Sequence, residues 1–403
     1  MAAMSHEPQT AAGAGALLAI LRDGRARTRA ELAQLTGLAR STVSQRLDAL
    51  VQGRWVVPTD DAISSGGRPA AAFVFNESVR VVLAADLGAT HARLAVLDLG
   101  MTVLAEQAVE LPVDRGPEAT LDDAVAVFGL MLDGLGRGLP DVCGVGVGLP
   151  GPVDHATGRP ANPPIMPGWD GFPVREWIGH RVGAPVLVDN DVNIMALGEH
   201  RTVRPDTDHL ILIKIGTGIG CGIISGRRLH RGAQGAAGDV GHIQVVSASE
   251  AVCRCGNIGC LEAVASGAAM AAALRAEGID ARGSRDVVAL LRAGDTRAAR
   301  LIRQAGREVG GVMAAIVNFF NPSTIVIGGD IAEAGEHILA GVREAIYSRS
   351  LPLATQHLTI RASRLGDRAG VIGAASMVLE HVLAPQSIDR SVAVDPAAPV
   401  GSQ

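Results

Sequence analysis

Aromatic side chains make up only 2% of this 403-residue sequence, which also contains a single lysine, Lys214, and only five cysteines. A chain of this length has room for two or three domains and a large core. With so few aromatics, that core has to be built from Ala, Val, Leu and Ile. The lone lysine leaves nearly all positive charge to arginine. The net charge of −5 argues against a protein that binds nucleic acid through its whole surface. No run approaches eighteen uninterrupted apolar residues, and the Ala-rich start lacks a basic segment followed by a Leu-rich one. The expectation is a soluble, cytoplasmic protein without signal peptide or membrane span. Five cysteines, an odd and clustered set, do not form a secreted disulfide framework.

Charge is unevenly spread. Before about residue 75 there are eight arginines against six acidic residues, so a slightly basic head precedes an acidic body. Residues 1–12 carry no periodic pattern and are expected to be disordered. From Gly15, "GALLAILRD" has helical spacing and stops at Gly24. In "TRAELAQLTGL", Thr28 and Glu31 form a capping box, Leu32 and Leu35 supply an apolar face, and Gly37 ends the helix in a tight turn. "ARSTVSQRLDALVQGRW" reads as a third helix, with Val43, Leu47 and Leu50 inward and Arg40, Ser41, Thr42, Ser44, Gln45 and Arg46 outward. "WVVPTD" and "AAAFVFN" read as two wing strands. The spacing suits both a plain three-helix bundle and a helix-turn-helix; the wing and the exposed polar set favour DNA binding over residues 13–76. In the linker "SGGRP", Arg68 on a narrow Gly/Pro stem suits an A·T-rich minor groove, and the same stretch also suits an ordinary interdomain hinge.

From Val79 the texture changes to β-rich apolar runs around a "DLGAT" turn, a helical segment near Leu121–Leu135, and the strand "VCGVGVGLPGPVD". "HLILIKIGTGIGCGII" repeats the strand, Gly/Thr turn, strand logic of Asp86–Leu97. Two such turns predict two related half-domains facing each other, with amides able to cradle phosphate from both sides. Helices dominate from Ala263 to Phe320. The Pro/Ala/Ser-rich end, residues 385–403, is expected to be a disordered tail.

Cys253, Cys255 and Cys260 fall within one short loop punctuated by Gly256 and Gly259, with His242 eleven residues upstream at the end of an apolar strand. A Cys₃His set fits tetrahedral Zn²⁺ with no open position, a structural site; reduced surface thiols beside a core histidine are the alternative. Cys143 and Cys221 sit alone in apolar strands and read as core.

The complete "CRCGNIGCLE" pattern and the "GDVGH" before it resemble the ROK family of sugar kinases and sugar-responsive repressors. The likeness covers about residues 80–380, and the winged helix in front resembles the family's repressor branch. The resemblance implies an α/β chain. Its winged helix-turn-helix would precede an actin-like (ribonuclease H-like), two-lobed sugar-kinase fold over residues 80–384, assembled as homodimers or homotetramers. It further implies that the zinc loop backs a sugar pocket. "VDNDVN" resembles the segment holding the family's catalytic base, here Asp191, with Asn190 as a sugar ligand. "NPPIMPGW" supplies Asn162, and His242, Asp239 and Glu262 complete the pocket. "DLGAT" and "GTGIG" resemble the phosphate loops, giving Asp86, Gly88, Thr90, Gly216, Thr217 and Gly218.

Three departures separate the chain from the kinase branch. Gly88-Ala89-Thr90-His91 stands where that branch has Gly-Gly-Thr-Lys, Asp239 replaces a glutamate, and Asp330 places a carboxylate near the nucleotide. The phosphate half therefore reads as degenerate while Asp191 remains. The expected function is a sugar-responsive repressor of carbohydrate uptake or metabolism genes, bound to operator DNA and released by a small sugar or sugar-phosphate ligand. An ATP-dependent sugar kinase with an accessory DNA-binding head, and a metal-stabilised scaffold, are the alternatives.

Overall fold

A computed structural model describes residues 13–59 and 71–393. The linker between the wing strands, Arg68 included, lies outside these described residues, as do both termini.

The head comprises α1 (Ala14–Leu21), β1 (Arg27–Thr28), α2 (Arg29–Thr36), α3 (Arg40–Gln52), β2 (Val56–Thr59) and β3 (Ala72–Phe75), its strands paired in the order β1-β3-β2. Thr28 starts α2 as the sequence predicts: its hydroxyl accepts the Glu31 N–H, and the Glu31 carboxylate accepts the Thr28 N–H at 2.7 Å. Gly37 ends α2 at φ 69°, a left-handed conformation that glycine adopts without a Cβ penalty. Leu32, Val43, Leu47 and Leu50 are buried, but Leu35, expected on the apolar face, is 60% exposed. An eight-residue helix buries one narrow stripe, and Leu32 fills it.

The first lobe contains β4 (Val81–Leu87), β5 (His91–Asp98), β6 (Val103–Glu110), α4 (Pro117–Gly134), β7 (Val142–Leu149), a small hairpin of β8 (Val153–Asp154) and β9 (Arg159–Pro160), α5 (Val174–Val182) and β10 (Val186–Asn190). Helix α6 (Asp191–Val203) leads to the second lobe. That lobe contains β11 (His209–Ile215), β12 (Ile219–Ser225), β13 (Arg228–His230), α7 (Glu262–Ala265), α8 (Gly267–Ala276), α9 (Ser284–Arg292) and α10 (Thr296–Phe320). It continues through β14 (Thr324–Gly328), α11 (Glu336–Arg349), α12 (Pro352–Thr355) and β15 (Thr359–Ala362), after which α13 (Ala369–Val382) and α14 (Pro385–Ala393) close the described chain.

The two large sheets run β6-β5-β4-β7-β10 and β13-β12-β11-β14-β15. In each, the first three strands are antiparallel and the last two join in parallel. The predicted internal duplication is therefore real, and "DLGAT" and "GTGIG" occupy equivalent hairpin turns. Alternation along each strand splits the side chains between faces. Val81, Leu83 and Ala85 pack with residues of α4 and α5, whereas Val82 and Ala84 pack with α13. Helices α6 and α13 cross between the sheets almost backbone to backbone. A Cβ on Gly373 would overlap the Ile194 carbonyl, and one on Gly198 would overlap that of Ala369.

One expectation is corrected here. The chain from residue 385 was expected to be a disordered tail, yet its first nine residues form α14, which packs on α1. Ile388 is wholly buried in a core cluster shared by head and first lobe. Asp389 Oδ1 accepts the Gly15 N–H at 2.8 Å, capping α1 from the far end of the chain. Two apolar side chains one turn apart, Ile388 and Val392, are too few to show a helical period without the partner helix. Among the described residues no single helix is long and apolar enough to cross a membrane.

Candidate functional site

The four proposed metal ligands converge. The ligand atoms of His242, Cys253, Cys255 and Cys260 all lie within 4.8 Å of one another. Cys255 Sγ is 3.7 Å from Cys260 Sγ, and Cys253 Sγ is 3.6 Å from His242 Nδ1. Tetrahedral zinc with Zn–S bonds of about 2.3 Å needs sulfur–sulfur edges of about 3.8 Å, so the set fits the ion. Gly256 and Gly259, at φ 90° and 88°, make the turns that aim the thiols inward. His242 does not end a strand as expected. It closes a 3₁₀ turn, Val240–His242, in which Gly241 packs directly on the Ile219 carbonyl. Burial pushes the Cys143 and Cys221 thiols up to about 11 and about 12, as suits core residues.

The thiol loop is tied to the second glycine turn through Glu262, which opens α7 two residues after Cys260. Its Oε2 accepts the Ile219 N–H at 2.9 Å and lies directly against Gly218. His242 turns Nδ1 toward the thiols and Nε2 toward Asp239, whose carboxylate is 3.8 Å away. Across the cleft, Asp191 is the first residue of α6, where the helix dipole favours an anion. Asn190 caps that helix: its Oδ1 accepts the Val192 N–H at 3.0 Å and its Nδ2 donates to the Gly151 carbonyl at 2.9 Å. Half its hydrogen-bonding capacity is thus spent on the backbone. Gly151 also touches Pro163, which brings the Asn162 loop beside Asn190. Asn162 itself is exposed, at φ 44°, with its N–H on Asp170 Oδ1 at 2.8 Å.

Two charged groups at this cleft were not among the sequence's candidates. Lys214 Nζ lies 2.5 Å from Asp191 Oδ2. Arg231, on the loop after β13, reaches back to the first lobe and pairs with buried Asp189 at 2.7 Å. The uniqueness of Lys214, two positions before "GTGIG", was the available signal; Arg231 is one arginine among many and offered none.

The phosphate-loop candidates occupy the equivalent turns but bond largely within them. Gly88 N–H donates to the His91 carbonyl at 2.8 Å, Gly216 N–H to the Gly218 carbonyl at 3.0 Å, and Thr90 Oγ1 meets His91 Nδ1 at 2.7 Å. Thr217 is half-buried on its turn. Asp86 Oδ1 is buried without a hydrogen-bond partner. Burial pushes that carboxyl up to about 7, with the Lys214 charge opposing the rise and Asp191 adding to it. Asp330 is not a bare carboxylate: Ser284 donates to it and Arg285 faces it at 3.4 Å, while Arg292 pairs with Glu333 at 2.6 Å beside it.

On α3, Arg40, Ser41 and Gln45 are exposed, and Thr42, Ser44 and Arg46 are half-buried. Arg46 Nη1 is buried without a partner, so this side chain is partly withdrawn from the outward set in which it was expected. Arg29 of α2 braces the face, paired with Asp48 at 2.8 Å and stacked 4.6 Å over Phe73.

Comparison with known proteins gives consistent matches. A model described as the ROK family matches residues 82–381, and one described as the MarR family matches residues 10–62. The xylose repressor of Caldicellulosiruptor bescii is 28% identical over 381 residues, covering 91% of this chain and 95% of its own. A ROK family transcriptional regulator described as a homologue of the Escherichia coli Mlc protein superposes with TM-score 0.78 at 27% identity, covering 94% of this chain and 98% of its own. A ROK family glucokinase from Streptomyces griseus, solved with glucose and AMPPNP, gives TM-score 0.63 at 30% identity, covering 74% and 98%.

Proposed function

The chain belongs to the ROK family, and from that premise we propose that it is a sugar-responsive transcriptional repressor of carbohydrate uptake or metabolism genes, released from operator DNA by a sugar or amino sugar. The observation that carries the reading is the winged helix set before a duplicated, sugar-kinase-like body and joined to it through one core. The sugar lies between the lobes on Asn162, Asn190, Asp191, Asp239, His242 and Glu262. A structural zinc on His242, Cys253, Cys255 and Cys260 fixes the loop that presents His242 and Glu262 to it. The protein works in the cytoplasm as a homodimer or homotetramer, and its operator is palindromic because protein and site share a two-fold axis.

Arg40, Ser41, Thr42, Ser44 and Gln45 face the major groove, Arg46 adds only the part of its side chain that is not withdrawn, and Arg68 is assigned to the minor groove. A base-edge contact is worth about 1–3 kcal/mol, so Gln45→Ala is expected to weaken operator binding about tenfold, as read by gel shift.

A second reading, an ATP-dependent sugar kinase, is favoured by Asp191 at the head of α6 and by the likeness to a glucokinase. Against it stand the self-bonded glycine turns and the ion pairs around Asp330. Phosphoryl transfer depends on positioned positive charge, and His91 replaces the loop lysine.

The test uses operator fragments selected from genomic DNA by the purified protein. These are titrated with D-xylose, D-glucose, N-acetylglucosamine and their phosphates. One sugar is expected to release the DNA, and Glu262→Ala should bind DNA as the wild type does while needing at least about tenfold more sugar, the loss of one charged hydrogen bond. Wild-type sugar sensitivity in Glu262→Ala would place the pocket elsewhere. Sugar-dependent ADP formation abolished by Asp191→Asn would make the kinase reading the correct one.

A further inference from the structure

The single lysine among 36 basic residues ends on the carboxylate assigned to the sugar, and the repressor function as stated gives it no task. Its placement follows from strand alternation. On β11, Ile211, Ile213 and Ile215 enter the core of the second lobe, while Leu210 and Leu212 face α6. Lys214 is the next position of the α6-facing stripe. Its sheet neighbours on both sides are glycines, Gly220 on β12 and Gly328 on β14. The gaps beside it are filled from α6, by Val192 against Gly220 and Met195 against Gly328. The lysine stem therefore completes an apolar stripe while its ammonium reaches the cleft at the first turn of α6. The side chain keeps 24% of its exposure and Asp191 keeps 10%, so the pair forms part of the cleft wall and is accessible from it.

The charge pattern around the pair is one-sided. Asp191 at the start of α6 and Asp86 on β4 both act on the ammonium, as does Asp330 from the turn after β14; beyond Asp86 lie Arg93 and Asp367. Burial works against the lysine charge, yet these carboxylates hold the ammonium above the usual lysine range. A compact ammonium can meet one carboxylate end-on, whereas a guanidinium fork needs a broader acceptor face. That distinction gives a reason for lysine here in a chain that otherwise uses arginine.

We propose that Lys214 is a positioning residue: it holds Asp191 as a charged, fixed acceptor for a sugar hydroxyl and withholds it from proton abstraction. The assignment rests on the sugar-binding reading of the cleft and deepens it. Accepting a proton would leave Asp191 neutral and Lys214 without its counter-ion, so the ion pair opposes the step a kinase base must perform. Hydrogen bonding to a neutral sugar leaves the pair intact. The same cleft thus senses a sugar without consuming it.

The sole lysine makes one arm of the test independent of any sugar. Acetic anhydride at pH 8 has no other ε-amino group to modify, and mass spectrometry follows Lys214 acetylation directly. Asp191→Asn is nearly isosteric, so it is expected to raise the Lys214 rate about tenfold by removing the counter-charge. The second arm is calorimetric titration of D-xylose, D-glucose and N-acetylglucosamine between pH 6 and 8.5. In the wild type Asp86 takes up a proton near pH 7 while the ammonium stays on Asp191, so sugar binding should change little across the range. In Lys214→Met, Asp86 and Asp191 face each other with no cation between them and share a proton at low pH. Binding should then be about tenfold weaker at pH 6 and recover as pH rises and Asp191 regains its charge, and Lys214→Arg should restore part of the loss. Equal labelling rates in wild type and Asp191→Asn, or unweakened and pH-independent binding in Lys214→Met, overturn the proposal. A wild type that binds none of the sugars tells instead against the sugar reading of the cleft, and the labelling rates still decide whether the ion pair holds.

Discussion

Cys260→Ser is expected to leave the purified protein without zinc and to abolish its response to sugar, while wild-type protein prepared without chelators carries one zinc per chain. The expectation follows from what the thiol loop buries. Cys260 is wholly buried and Cys253 is 4% exposed, yet Val246, Val252 and Ile258 of the same loop are 95%, 75% and 50% exposed. The loop turns most of its sulfurs inward and most of its larger apolar side chains outward, so hydrophobic burial contributes little to holding it. Its backbone is held by two isolated bridges, Gln244 with Cys260 and Val252 with Ile258, and by short turn bonds such as Gly256 N–H to the Cys253 carbonyl. A structural zinc is worth about 10–16 kcal/mol in peptides that fold around it, far more than those bridges supply. Without the ion, His242 and Glu262 lose their fixed positions, and Glu262 loses its bond to the Ile219 amide. The second lobe's core lies mainly among β11, β14, α10 and α11, away from the loop, so the variant should still fold. Elemental analysis and sugar titration of the two proteins check the result. Zinc-free wild-type protein, or a Cys260→Ser variant that keeps a full equivalent of zinc, would refute it.

Much of this organisation is legible in the sequence because it is written in local signals. The Thr28/Glu31 box, Gly37, the two Gly/Thr turns and the Cys-x-Cys-Gly-x-x-Gly-Cys spacing each specify geometry over a few residues, and the fold realises all of them. What escaped depends on partners distant in the chain. Leu35 fits the helical period but finds no neighbour. Asn190 reads as a ligand, yet its position before α6 makes it a cap first. Lys214 stands out in composition, but Asp191 lies 23 residues away in a different element, and spacing alone does not bring the two together. Helix α14 is the extreme case, since its one wholly buried apolar residue acquires meaning only when α1 is in place.

Ile388→Ala is expected to uncouple the head from the body, leaving sugar binding intact and removing operator binding. Ile388 has no exposed surface and shares its cluster with Leu17, Leu18, Leu21, Leu47 and Leu50 of the head and with Val371, Val378 and Leu379 of α13. Truncating a buried isoleucine costs about 2–5 kcal/mol. A small domain holds only about 5–15 kcal/mol in total, so that loss is a large share of the head's stability. The body is insulated because its two largest other clusters lie on the far faces of the two sheets. Asp389→Ala should act in the same direction but by about 1 kcal/mol, because it removes only the acceptor for the Gly15 amide. The two variants therefore form a graded pair. Helix α13 gives the joint its role in signalling: its N-terminal Gly370 lies on Asp86 at the cleft, its middle crosses α6, and its end runs into α14. A shift of the cleft floor that moves α13 must move α14, and with it the first helix of the DNA-binding head. Hydrogen exchange of the α1 and α2 amides, with and without sugar, measures both the joint and its response. Amides in α1 as protected in Ile388→Ala as in the wild type would show that the head stands alone and that the sugar signal travels by another route.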